Sequence, residues 1–91
     1  MEPIRQPLDA IARNVLQAME PAERVISAWP LVCGQRVAAH ARALEFADGK
    51  LRVAVHDPIW RNELTAMAER HATRLSQLTG VPVAAILFTN R

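Results

Sequence analysis

The amino-acid sequence predicts an α+β fold, a two-layer domain in which helices pack on one face of a three-stranded sheet, in the order α-α-β-β-α-β. Apolar residues recur at helical spacing in two N-terminal segments and in a long segment from Asp57 to Leu78. Two short segments with alternating apolar residues flank Asp48-Gly49, a pair that favours a tight hairpin turn. A β-rich segment, residues 81–89, follows the long helix.

The N-terminal half is predicted to contain two helices. We expect residues 1–6 to form a short lead and residues 7–91 to form a single domain. Pro7 suits a first helical turn, and the apolar residues after it mark one helical face: Leu8, Ile11, Val15, Ala18 and Met19. Pro21 opens the second helix, which directs Val25, Ala28, Trp29 and Val32 inward. Pro30 removes a backbone donor, so it should bend or restart that helix.

The hairpin should expose one face and bury the other. Leu44 and Phe46 are predicted to point inward from the first strand. Leu51, Val53 and Val55 do so from the second strand, which leaves Arg52 and His56 on the opposite face.

The third helix is predicted to be long and continuous. Asp57-Pro58 reads as its N-cap and first residue, and Gly80 ends it. Its inward residues are Trp60, Leu64, Met67, Ala68, His71, Leu75 and Leu78. The residues predicted to be mostly buried across the domain are Trp29, Leu44, Phe46, Val53, Val55, Trp60, Leu64, Met67, Ile86 and Phe88.

Composition excludes several classes of protein. A chain of 91 residues with 51% hydrophobic residues can fold as one small domain without disulfides. Its apolar runs fall well short of the ~20 residues of a membrane span, and Met1–Arg5 lacks the pattern of a signal peptide. The single Cys33 cannot form an internal disulfide, so we expect a cytoplasmic protein.

The two tryptophans carry a family resemblance. They lie in residues 28–34 (AWPLVCG) and 57–64 (DPIWRNEL), on either side of the hairpin, with one tryptophan at each helix–sheet junction. From Val25 to Phe88 the chain resembles the DciA family of bacterial replicative-helicase loaders. The resemblance implies a KH-like N-terminal domain in a non-enzymatic DNA-replication protein. Such a protein would bind DNA with low sequence specificity and help to load the replicative helicase.

No common catalytic motif occurs in the sequence. The sequence contains no HExxH, no CxxC and no glycine-rich phosphate loop. His40, His56 and His71 are separated by sixteen and fifteen positions, which matches no common spacing of metal ligands. We therefore predict no catalytic residue, metal, cofactor or small-molecule substrate. His71 reads as a core histidine, and both tryptophans read as core residues rather than base-stacking ones.

The basic residues supply the candidate DNA contacts. Ten of the eleven are arginine, which suits phosphate binding but is also typical of a GC-rich genome. The candidates are Arg36, His40, Arg42, Lys50, Arg52, Arg70 and Arg74. The alternative is a solvated surface on which these residues alternate with acidic ones.

The sequence also indicates which mode of nucleic-acid binding to expect. The chain lacks a GxxG loop and an exposed aromatic cluster. Binding should therefore rest mainly on contacts with the phosphate backbone of the nucleic acid, and its affinity should depend steeply on salt. Single-stranded or forked DNA is the expected form. The competing interpretation, favoured by a net charge of only +2, is a protein–protein interaction module without intrinsic nucleic-acid binding.

Overall fold

The chain forms three strands and a set of helices in the order that the sequence predicts. The computed structural model describes Ile11 and residues 14–90. Residues 14–17 are helical. The later elements are α1 (Pro21–Cys33), α2 (Gln35–Ala38), β1 (Arg42–Ala47), β2 (Lys50–Ala54), α3 (Pro58–Ala66), α4 (Ala68–Thr79) and β3 (Ala85–Thr89).

The sheet has β2 at its centre. β1 pairs with β2 in antiparallel fashion, and β3 lies parallel to β2 on the other side. Asp48 (φ 54°) and Gly49 (φ 78°) both adopt positive φ, which is the backbone of a two-residue type I′ turn. The predicted hairpin turn is therefore confirmed. The Gly49 carbonyl also accepts from the Ala84 amide at 2.7 Å and so helps to position the start of β3.

The core lies between the sheet and helices α1 and α4. Trp29 is 1% exposed, and its indole Nε1 donates to the Ala41 carbonyl at 2.9 Å, which ties α1 to the start of β1. The buried hydrophobic cluster contains Leu16, Val25, Ala28, Trp29, Ala41, Leu51, Val53, Val55, Leu64, Ala72, Leu75, Val83 and Ile86. The predicted two-layer α+β architecture is confirmed.

Most of the predicted core residues are correct. Trp29, Val53, Val55, Leu64 and Ile86 are buried. Phe46, Trp60 and Phe88 are half-buried and pack against the core. Leu44 and Met67 do not belong to it.

Leu44 is displaced from the core by a β-bulge. The pairing of β1 with β2 passes from Ala43↔Val53 to Glu45↔Arg52, so two steps on β1 match one step on β2. Leu44 is the extra residue, and its neighbour Ala43 packs against the core instead. The predicted inward position of Leu44 is wrong because strict alternation fails at the bulge.

Met67 interrupts the predicted long helix. Its backbone (φ −106°, ψ 9°) is not helical, and its amide donates to the Leu64 carbonyl three residues back at 3.1 Å. The segment therefore forms two helices, α3 and α4, where one was predicted. Met67 lies at the junction of the two helices, and it is 37% exposed although its spacing from Leu64 and His71 fits one continuous buried face.

The apolar face predicted for the first helix is only partly observed. Pro7 and Leu8 lie outside the described residues. Within residues 14–19, Leu16 is buried and Met19 is half-buried, while Val15 is 53% exposed. The predicted face is therefore correct for Met19 but wrong for Val15 and also for Ile11 and Ala18, which are exposed.

Pro30 and β3 mark two further differences. Helix α1 continues through Pro30 to Cys33 without restarting. β3 begins at Ala85, later than predicted, because hydroxyl groups of α4 hold the preceding segment. Ser76 Oγ accepts from the Val83 amide at 3.0 Å, and Thr79 Oγ1 accepts from the Val81 amide at 3.1 Å.

Charged side chains tie the helix ends together. The Arg24 guanidinium donates to the carbonyls of Thr79 and Met19 at 3.1 and 3.0 Å, so it caps the C-terminal end of α4.

No helix among the described residues has the length and apolarity to cross a bilayer.

Candidate nucleic-acid interface

The face of the sheet opposite the core carries most of the charged residues of the hairpin. The pairs Arg42↔Ala54 and Glu45↔Arg52 point away from the helices, since Leu51 and Val53 alternate with them and are buried. Leu87, the β3 partner of Arg52, is 46% exposed. This side of the sheet, which we call the open face, is in contact with solvent.

A groove of about 430 Å³ lies at one end of the open face. Its walls come from three places: the turn after α2, the bulged start of β1, and the end of β2. The lining residues are Ala39, His40, Ala41, Arg42, Leu44, Arg52, Ala54 and His56. The groove therefore has a floor of small or apolar side chains and a rim of two arginines and two histidines.

One rim residue is engaged by an acidic neighbour. Arg52 Nη1 lies 2.8 Å from Glu45 Oε2, and both side chains are about half exposed. An ion pair that is this exposed contributes only ~0–1 kcal/mol, because water screens it. Arg52 can therefore exchange Glu45 for another anion at little cost.

His40 is covered on one side by an aromatic ring. The His40 and Trp60 rings stack with centroids 4.7 Å apart and planes inclined by 14°. Trp60 is held there by α3. Asp57 caps the first turn of this helix, because its Oδ1 accepts a hydrogen bond from the Ile59 amide at 2.8 Å. Arg61 adds a second restraint by donating to the Val55 carbonyl at 3.2 Å.

The predicted contact residues fall into three groups. His40, Arg42 and Arg52 come together in the groove. Lys50 lies two residues before Arg52 on the open face, outside the groove, and Arg36 is exposed on α2. Arg70 and Arg74 are exposed on α4, which packs on the core side of the sheet. The structure thus separates the Arg70–Arg74 pair from the groove.

Three features of the groove are not among the predicted contacts. Strand alternation places His56 on the same face as Arg52, and this is the signal that would add His56 to the contact residues. The sequence predicts Leu44 in the core because the bulge has no sequence signature. The His40–Trp60 stack joins residues twenty positions apart, and neither residue alone indicates it.

Two other titratable groups lie away from the groove. Burial raises the pKa of the Cys33 thiol to about 11, so Cys33 is protonated at neutral pH and is a poor nucleophile. Burial also lowers the pKa of His71, and the charges of Arg70 and Arg74 lower it further. Among the described residues, no group of three or more His, Cys, Asp or Glu side chains could hold a metal ion.

Comparison with known families adds one match. A family model described as "Dna[CI] antecedent, DciA" matches residues 3–88, nearly the whole chain. A search of curated proteins finds no significant match.

Proposed function

The chain belongs to the DciA family of replicative-helicase loaders, and from this premise we propose that it binds DNA through the groove on the open face. Membership of this family implies a DNA-replication protein that is associated with the replicative helicase. The family is a loader family and not a catalytic one. The finer proposal is that His40, Arg42, Arg52 and His56 form the DNA contact, with Lys50 extending it.

The observation that carries this proposal is the grouping of basic residues around one concavity. Four of the eight groove-lining side chains are basic. Guanidinium groups bind phosphate oxygens through two parallel hydrogen bonds, and each phosphate contact releases condensed counterions. Backbone contacts of this kind carry no base information, which agrees with binding of low sequence specificity.

The shape of the site supports single-stranded or forked DNA. Direct readout of duplex DNA requires a helix or a β-ribbon that protrudes into the major groove. The basic residues here surround a depression on a sheet instead. A flexible single strand can lie in such a depression, whereas a stiff duplex can touch only its rim.

A second candidate function is a protein-interaction module, and one observation favours it. Ile59 on α3 is 72% exposed and Leu31 on α1 is 56% exposed. Contact with a protein partner would remove these apolar side chains from water, which is favourable. Such contact is compatible with helicase loading and does not require DNA binding by the groove.

Titration of labelled single-stranded DNA at several salt concentrations tests the proposal. If Arg42, Arg52 and Lys50 each engage one phosphate, log K should fall with log salt at a slope of roughly −2. Capture of the replicative helicase by the tagged protein, with and without DNA, is measured in parallel. Helicase capture without DNA binding, even at low salt, would favour the interaction module and contradict the groove as a DNA site.

A further inference from the structure

We propose that the groove holds an unstacked nucleobase against the ring of His40, with Trp60 as the second layer of the stack. The inference rests on the proposed function, since it concerns the same groove. It adds a base-binding subsite to what would otherwise be a phosphate-binding surface. It also names His40 as the residue that distinguishes single-stranded from paired DNA.

The first argument is the position of the two rings. His40 is exposed and lines the groove, whereas Trp60 is half-buried and does not line it. The Trp60 ring therefore covers His40 from outside the groove, in a nearly parallel stack. A base in the groove can extend that stack on the His40 side, as bases do on aromatic side chains in single-strand binding proteins.

The second argument is that both rings are already held in place. The His40 amide donates to the Val37 carbonyl at 2.9 Å, and the next carbonyl, that of Ala41, accepts from Trp29 in the core. Trp60 packs against the core from α3. A stacking surface that is ordered before binding avoids much of the entropy cost of arranging it.

The third argument is the chemistry of the groove floor. Ala39, Ala41 and Ala54 are small, and Leu44 is apolar. A phosphate group gains nothing from such a floor, but the apolar surface of a base does. Arg42 and Arg52 at the rim are then placed for the phosphates on either side of the inserted base.

The subsite predicts a preference for strands whose bases are free. In a duplex the bases are stacked on one another, so only the phosphate contacts of the rim remain. Stacking of one base is sequence-tolerant, because every base offers a flat face. We expect it to contribute about tenfold in affinity.

Two oligomers with equal numbers of phosphates separate base stacking from phosphate binding. One is oligo(dT) and the other is an abasic oligomer of the same length, both titrated at pH 8 and low salt. The wild-type protein should bind oligo(dT) about tenfold more tightly. The His40→Ala variant should bind both oligomers equally, and the His40→Phe variant should restore the preference.

Tryptophan fluorescence gives an independent readout of the same subsite. Trp29 lies in the core, so a change in emission on binding reports on Trp60. Oligo(dT) should quench the emission, and the abasic oligomer should not. Equal binding of the two oligomers by the wild type would overturn the base subsite but leave the phosphate groove standing. Failure of both to bind would overturn the proposed function itself.

Discussion

His71 meets Trp29 edge to face in the centre of the helix layer, with ring centroids 5.5 Å apart and planes inclined by 82°. The imidazole is 7% exposed, and its Nδ1 has no hydrogen-bond partner among the described residues. Burial lowers the pKa of His71, and the neighbouring charges of Arg70 and Arg74 lower it further. The folded protein therefore holds this histidine in its neutral form at neutral pH.

This burial makes stability depend on pH. Because the pKa of His71 is lower in the folded state than its ordinary value of ~6.5 in the unfolded state, the unfolded state binds more protons as the pH falls below ~6.5. The stability present above that pH should be lost progressively until the folded-state pKa is reached. Urea unfolding between pH 8 and pH 5 measures this loss.

The His71→Met variant is the control for that measurement, since methionine has a similar size but no titratable group. His40 and His56 remain in both proteins, so the difference between the two pH profiles isolates His71. The variant should lose less stability between pH 7 and pH 5 than the wild type does. Parallel profiles would show that His71 does not contribute.

The bulge in β1 predicts unequal effects of truncating two neighbouring apolar residues. Phe46 packs against the core, whereas Leu44 lines the groove on the opposite face. Phe46→Ala should lower the free energy of unfolding by about 3 kcal/mol, near the lower end for core aromatic residues because Phe46 is only half-buried. Leu44→Ala should cost less than about 1 kcal/mol. Denaturant unfolding of the two variants measures both, and equal losses would contradict the bulge.

The features that the sequence predicts correctly are those fixed by local chemistry. Asp48-Gly49 forms the turn because both residues tolerate positive φ, and Asp57 caps α3 through its own side chain. Gly80 ends α4 in the left-handed conformation for the same local reason. The bulge at Leu44 and the break at Met67 depend on how distant elements fit together, which periodicity does not report.

The candidate site was predictable only in part, for a related reason. Alternation along β2 places Arg52 on the face opposite the core, as observed. It cannot show that the turn after α2 brings His40 and Arg42 beside Arg52. That placement is set by the tertiary fold.

Removing the acidic partner of Arg52 should strengthen DNA binding. Glu45→Gln frees the Arg52 guanidinium and removes a negative charge from the open face, so the affinity for single-stranded DNA should rise about twofold to fivefold. Glu69→Gln is the matched control, because Glu69 is exposed on α4 and away from the groove. Fluorescence anisotropy at low salt measures both. An equal gain in the two variants would indicate an effect of net charge alone.

The groove as the DNA site is tested most directly by two double variants that each remove two positive charges. Arg42→Gln with Arg52→Gln neutralises the rim of the groove, and Arg70→Gln with Arg74→Gln neutralises the pair on α4. The measurement is the slope of log K against log salt for single-stranded DNA. The groove variant should bind more weakly, and its slope should be shallower by roughly 1.4, which corresponds to two lost phosphate contacts. The α4 variant should match the wild type, and a larger loss in the α4 variant than in the groove variant would contradict the account.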